Sequence, residues 1–318
     1  MPLTIQILTK NNESTIEKCL SSVDGLGKII IVDLGSNDKT LDICKRSGCE
    51  IFSEKNAHNR SNLRNKYLKN NWNLYLQPYE FLTEGHEEIL EITTTHEPHS
   101  FLFKVVQDTI ITKEIRLWNK QLEFTNPIYE KVQDKDALET ESVALISNQH
   151  KIDFKNYLDI ITQWKAQKPL AVEPYYYHAL TLLLLGNYKE FVDLAEYYLF
   201  RDQETQASIM MRYHLAMVQA YQFDEFNKAI KNILFCILMK PNMAEFWCLL
   251  GDIHYILKSY GQAREFYENA MILGSQRYQS DRWPIDVVKY KKHPLSMMES
   301  INKLTSEFEI YRQSNEIK

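Results

Sequence analysis

Cysteine is scarce and unpaired in this chain. Cys19, Cys44, Cys49, Cys236 and Cys248 are an odd number among 318 residues, with no Cys-x-x-Cys spacing. That pattern argues against a disulfide framework or a structural zinc site and fits a reducing compartment, so a cytoplasmic chain is expected. Long apolar runs are missing too: the longest, ALTLLLLG from Ala179, is far shorter than the roughly 20 residues needed to span a bilayer. The opening MPLTIQILTKNN has neither the basic flank nor the extended apolar core of a secretion signal. Positive charge is not in excess. A formal net charge of -5 provides no broad field for nucleic acid, which is not expected as a partner. The local cluster Lys289, Lys291, Lys292 and His293 reads as a solvated helix end. What remains, 44% hydrophobic and 25% charged residues, is the composition of a folded globular chain with room for two modest domains.

The two halves follow different periodicities. Leu3 to Leu8 reads as a strand, and the stretch from Glu13 to Val23 carries Ile16, Leu20 and Val23 at helical spacing. KIIIVDLGS, from Lys28, is a near-continuous β-branched run of the kind found in buried parallel strands. A helix stopped by Gly48, a strand EIFSE, a helix over 61–70 and a strand WNLYLQ continue the alternation. Such units predict a parallel sheet covered by helices, with ligands beyond the carboxyl ends of its strands. From Ser100 the runs SFLFKVVQ and IITKEIRLWN and a shorter one over 143–146 predict an antiparallel extension.

Beyond residue 150 the chain is helical and repetitive. Trp247, Leu250, Gly251, Tyr255, Tyr260, Ala263, Tyr267 and Ala270 follow the tetratricopeptide pattern of paired helices. Thirty-four residues earlier stand Tyr213, Ala216, Tyr221, Phe226, Ala229, Ile233 and Cys236. A third copy, beginning at Tyr175, aligns if the loop after it is about four residues longer. Pro241 ends one helix and lets the next begin. Tyr175, Tyr176, Tyr177, Tyr197 and Tyr198 either pack between helices or line a groove for a peptide or glycan. The expected organisation is an α/β domain over 1–150, helical repeats over 151–276 and a capping region over 277–318.

Four stretches of the first half, KNNESTIEKCLSSV, IIIVDLGSNDKTLDIC, NRSNLRNKYL and RLWNKQLEFTNPIYEKV, occur in an order similar to that of the family 2 glycosyltransferases. They resemble a bacterial and phage branch, including bacteriocin S-glycosyltransferases, with tetratricopeptide repeats behind a GT-A-type domain. The resemblance implies a mixed-sheet GT-A-like domain and inverting transfer of a sugar from a nucleotide diphosphate. The acceptor would be a peptide, protein or glycan presented by the repeats. Asp33 and Ser36, just past a strand end, are placed to bond a uracil or ribose, or to cap the following helix. Asn11 either holds the nucleotide or closes an Asx-turn. By resemblance Arg64 faces the diphosphate and Glu130 is the base that deprotonates the acceptor, with Arg116 and Asn119 anchoring the strand before it. Tyr129 replaces the histidine that the resemblance leads one to expect before Glu130.

The largest departure is WNLYLQPYEFL. The family strand ends Leu-Asp-Ala-Asp-Glu, and this one ends Leu76-Gln77-Pro78-Tyr79-Glu80. Hard divalent cations such as Mg²⁺ or Mn²⁺ take anionic oxygen ligands, and of that trio only Glu80 is left. Three readings stay open: Arg60, Arg64 or Lys66 replaces the metal, Glu80 and His58 rebuild its site with a further carboxylate, or transfer is lost. In the last case the chain is an adaptor that binds a protein or peptide through its repeats.

Overall fold

The computed structural model describes residues 3–54, 59–69, 71–95, 97–119, 121–148, 154–277 and 281–316, the side chains of 307–316 excepted. The chain divides into two compact units, Met1–Gln167 with Arg282–Pro284, and Lys168–Asp281 with Ile285–Lys318. Residues 149–153, where the sequence shifts its periodicity, lie outside the described residues. The helix that follows them, Phe154–Gln167, belongs to the first unit.

In the first unit, β1 (Leu3–Thr9) and β4 (Trp72–Leu76) are buried at every position, as central strands covered on both faces must be. β1 pairs in parallel with both β4 and β2 (Lys28–Asp33), and β2 with β3 (Glu50–Ser53). The extension is mixed rather than purely antiparallel. β7 (Ile110–Trp118) runs antiparallel to β4 and to β6 (Ser100–Gln107), whereas β8 (Leu138–Ser147) runs parallel to β6. The order is β3-β2-β1-β4-β7-β6-β8-β5, with β5 (Glu80–Glu84) antiparallel to β8. Ile5, Ile7 and Leu74 join Phe103 and Leu145 in one core with Ile16, Leu20 and Val23. These last three lie on and just after α1 (Ile16–Ser21), which is shorter than its apolar spacing predicts.

The helices α2 (Thr40–Arg46), α3 (Arg60–Lys66) and α4 (His86–Ile92) follow β2, β3 and β5. Gly85 opens α4 at φ +94°, and a Cβ there would stand 2.7 Å from Val143 Cα. Both the backbone and the space therefore require glycine.

The second unit is built of helical hairpins. After α5 (Phe154–Gln167) of the first unit, α6 (Glu173–Leu184) pairs with α7 (Tyr188–Arg201), α8 (Gln206–Gln222) with α9 (Phe226–Met239), and α10 (Ala244–Ile256) with α11 (Tyr260–Gly274). Pro241 lies between α9 and α10, as expected, and its carbonyl accepts a 2.7 Å hydrogen bond from Trp247 Nε1. The four additional residues of the first copy are not in a loop. They lengthen α8, which has 17 residues where α10 has 13. Small residues sit where helices approach: Ala216, Ala229 and Ala263 are fully buried, and a Cβ on Gly251 would meet the Tyr267 ring at 2.7 Å. A 3₁₀ turn, Val287–Tyr290, leads into α12 (Lys292–Glu316), whose Ile301 packs on Ala263 and Tyr267. Among the described residues no helix is long and apolar enough to cross a membrane.

Candidate functional site

At the carboxyl ends of β1 and β2, the two loops are laced by their own side chains. Asp33 is 3% exposed, and its carboxylate accepts from the backbone N–H of Gly35 at 3.2 Å and Ser36 at 3.0 Å. Ser36 Oγ accepts from Asn11 N at 3.0 Å, and Asn11 Oδ1 from Asn37 N at 2.8 Å, with Asn11 itself at φ +55°. Asp38 accepts from Glu13 N and Thr40 N, and Glu13 accepts from Lys39 N in return. Burial would raise the Asp38 carboxyl, but these donors, Thr40 first, hold it below the usual range. Asn11, Asp33 and Ser36 thus lie together, and the Asn11 amide oxygen, the Asp33 carboxylate and the Ser36 hydroxyl each accept from backbone N–H groups.

Arg64 and Glu130 also meet, inside the first unit. Arg64 is fully buried, and its Nε donates to Glu130 Oε1 at 3.0 Å; Arg60 Nε donates to the same oxygen at 3.0 Å. Arg64 further donates to Gln6 Oε1 and Gln77 Oε1, each at 3.2 Å. Burial pushes the Glu130 carboxyl upward, yet the two guanidiniums outweigh it and hold it at about 2. A carboxylate so strongly acidic is a weak proton acceptor. Tyr129, at φ +49°, stacks edge-on against Tyr157 with ring centroids 5.2 Å apart.

A second ion pair lies across Gln77. Arg116 forks onto Glu80 with bonds of 2.8 and 2.9 Å, and its Nη2 also reaches Glu114 at 2.9 Å. Glu80 Oε2 takes the Gln77 N–H at 2.7 Å. Arg116 is 2% exposed, and its Nε has no hydrogen-bond partner among the described residues. Asn119 is a strand anchor in the expected sense, bonded to the backbone of Glu97 and His99.

Arg60, Glu80, Glu114, Arg116 and Glu130 line one cleft of about 300 Å³, together with Tyr79 and other polar groups. The pairings themselves were not anticipated, although Arg60 and Arg64 stand one helical turn apart and Glu114 and Arg116 share a strand face. Those two spacings group the charges locally, while the carboxylates that pair with the arginines, Glu130 and Glu80, lie far along the chain.

The donor set does not fit a hard divalent cation. Both Glu80 oxygens are spent on Arg116, with the Gln77 N–H added to one of them. No cluster of three His, Cys, Asp or Glu side chains among the described residues could hold a metal. His58 lies outside the described residues.

On the second unit the tyrosine stripe splits. Tyr198 is 2% exposed, donates from its hydroxyl to Asp202 at 2.5 Å and packs on Tyr176. Tyr175 stacks on Tyr197 at 5.0 Å, and the Arg201 guanidinium lies over both rings at 5.3 and 5.7 Å. What repeats on the surface is aliphatic and aromatic together. Phe200, Leu238 and Ile272 are each the thirteenth residue of α7, α9 and α11, and they are 80%, 79% and 58% exposed. Leu185, Phe223 and Leu257, the C-terminal caps of α6, α8 and α10, are exposed as well.

No family model and no curated protein matches the chain. Solved structures similar to it include MamA 41-end from Desulfovibrio magneticus RS-1, at 18% identity and TM-score 0.38, covering 50% of this chain and 86% of that one. PcrH from Pseudomonas aeruginosa has 13% identity and TM-score 0.35, covering 41% and 91%. BtubC (BKLC) from P. vanneervenii has 15% identity and TM-score 0.42, covering 49% and 68%.

The resemblance to family 2 glycosyltransferases is corrected: no family model matches the chain, and the curled mixed sheet of the first unit points elsewhere than a GT-A fold. The physical reason lies in the motif residues. The Asp33-Leu34-Gly35-Ser36 stretch ties its own turn, and the Arg64 and Glu130 stretches meet as a core ion pair. The nucleotide-sugar donor and its metal lose the support that the resemblance gave them.

Proposed function

We propose that this protein is an adaptor that binds a protein or peptide through its helical repeats. The observation that carries this reading is the row Phe200, Leu238 and Ile272. Single exposed apolar residues are common on any protein surface and need no explanation. Here the same position of successive second helices is apolar and more than half exposed three times over. A stacked array presents such equivalents side by side, as an extended contact surface. The state of Glu130 supports the same reading, because a carboxylate fixed between two arginines is suited to holding structure.

A photoreactive benzoylphenylalanine at Leu238, in the cells that make this protein, tests the proposal. A discrete set of adducts, absent when the same group is placed at exposed Lys45 on α2, is expected. No adduct at Leu238, or the same set at both positions, would overturn it.

A further inference from the structure

The charged floor of the cleft is organised in a way that the adaptor reading does not use. Its groups alternate in sign: Arg60, Glu130 and Arg64, then across Gln77 to Glu80, Arg116 and Glu114. At one end two guanidiniums share a single carboxylate oxygen. At the other, one guanidinium is shared by two carboxylates. The interior of the ladder is compensated, and each end carries one charge in excess, of opposite sign.

These ends are also the accessible parts. The Arg60 side chain is 20% exposed and spends only its Nε on Glu130, leaving both Nη groups uncommitted among the described residues. The Glu114 side chain is 42% exposed and lines the same cleft. The same cleft is lined by Gln107, Thr112 and Ser147, polar side chains able to bond the uncharged part of a ligand.

We infer that this cleft binds a small zwitterion, an amino acid or short peptide with a free carboxylate and a free ammonium group. The carboxylate is placed at Arg60, whose planar fork suits it. The ammonium is placed at Glu114, whose side chain is 42% exposed at the other end of the same cleft. A simple anion would gain from the first end and be repelled at the second. A simple cation would meet the reverse. Only a ligand with both charges uses both ends, and the volume of about 300 Å³ limits it to a few residues.

The test is calorimetry on the full chain with the twenty free L-amino acids and with trialanine, alongside the N-acetylated and the C-amidated form of each ligand that binds. At least one uncapped ligand should bind, and either cap should weaken it by ~10-fold or more, the equivalent of losing about 1.4 kcal/mol. In Glu114→Gln, a change at the partly exposed rim, the uncapped and N-acetylated forms should bind alike, because the group that distinguishes them has lost its partner. Binding by amino acids alone, or by trialanine alone, tells the free metabolite from the peptide terminus. No binding by any probe at ~10 mM, or capped ligands bound as tightly as uncapped ones by the wild-type chain, overturns the inference. The wild-type comparison stands even if the variant fails to fold.

Discussion

At the residue scale, one carboxylate decides most. Glu130 neutralises part of the charge of Arg60 and Arg64 where water cannot, and removing one partner of a buried pair costs about 3–5 kcal/mol. Glu130→Gln is therefore expected to lower the stability of the first unit by about that amount, read from urea denaturation at pH 7. The loss should depend on pH with a definite sign. The folded pKa of about 2 lies below the value near 4.3 of a free glutamate. The stabilisation is then complete above about pH 5 and fades as pH falls toward 2, on the order of 3 kcal/mol in all. Denaturation of both proteins from pH 7 to pH 2.5 should show the gap between wild type and variant closing over that range. A gap that stays constant would mean that Glu130 is not held ionised by the arginines.

Sequence reasoning reached these residues without reaching their work. Asn11, Asp33, Ser36, Arg64 and Glu130 do converge in two clusters, because residue order and strand ends place them there. What side chains do once they meet depends on long-range neighbours. Glu130 meets Arg60 and Arg64 across 70 and 66 residues, and Arg116 meets Glu80 across 36. No local pattern encodes those partners, and similar residues in similar order were enough to suggest a chemistry that the pairing explains otherwise.

At the scale of elements, the hairpins depend on close approach. Gly251 of α10 faces the buried Tyr267 ring, whose hydroxyl is fixed to Asp252 at 2.7 Å and so has little freedom to move. Gly251→Ala should cost about 1–3 kcal/mol by overpacking, measured by denaturant unfolding. Asp252 also accepts from Tyr221 at 2.8 Å and pairs with His293 at 2.7 Å, joining α8, α10, α11 and α12 at one carboxylate. In a stacked array each unit leans chiefly on its neighbours. Asp252→Asn should accordingly speed amide hydrogen exchange over the 3₁₀ turn and the start of α12 while α6 and α7 keep their protection. Equal acceleration throughout the array would contradict the local role given to Asp252.

The elements themselves were unevenly legible. The repeats declared themselves because identical packing demands recur at fixed spacing, as Ala229 and Ala263 show. The same regularity misplaced the four extra residues, since a period counts residues without saying whether they coil into a helix or a loop. β5 and α4 escaped notice because a five-residue edge strand and a two-turn helix carry too little periodicity to stand out. The basic cluster near the C-terminus read as a solvated end, and His293 and Lys289 instead approach Asp252, at 2.7 and 3.7 Å. Charge pattern alone did not reveal that a buried acid waited on another helix.

At the scale of the molecule, the chain combines an α/β unit with a self-compensated polar cleft and a helical unit whose apolar surface repeats. The periodicity changes near residue 150, whereas the first compact unit extends through Gln167 and includes Arg282–Pro284. The repeated row Phe200, Leu238 and Ile272 is exposed enough that changing it should leave folding intact, within about 0.5 kcal/mol per site. Recognition is the property expected to change. The decisive measurement is a calorimetric titration of the partner trapped at Leu238, purified, against the wild-type chain and against Phe200→Ser/Leu238→Ser/Ile272→Ser. Recognition by the repeats predicts saturable binding to the wild type and at least ~10-fold weaker binding to the triple variant at unchanged thermal stability. Equal affinity for the two proteins would contradict it.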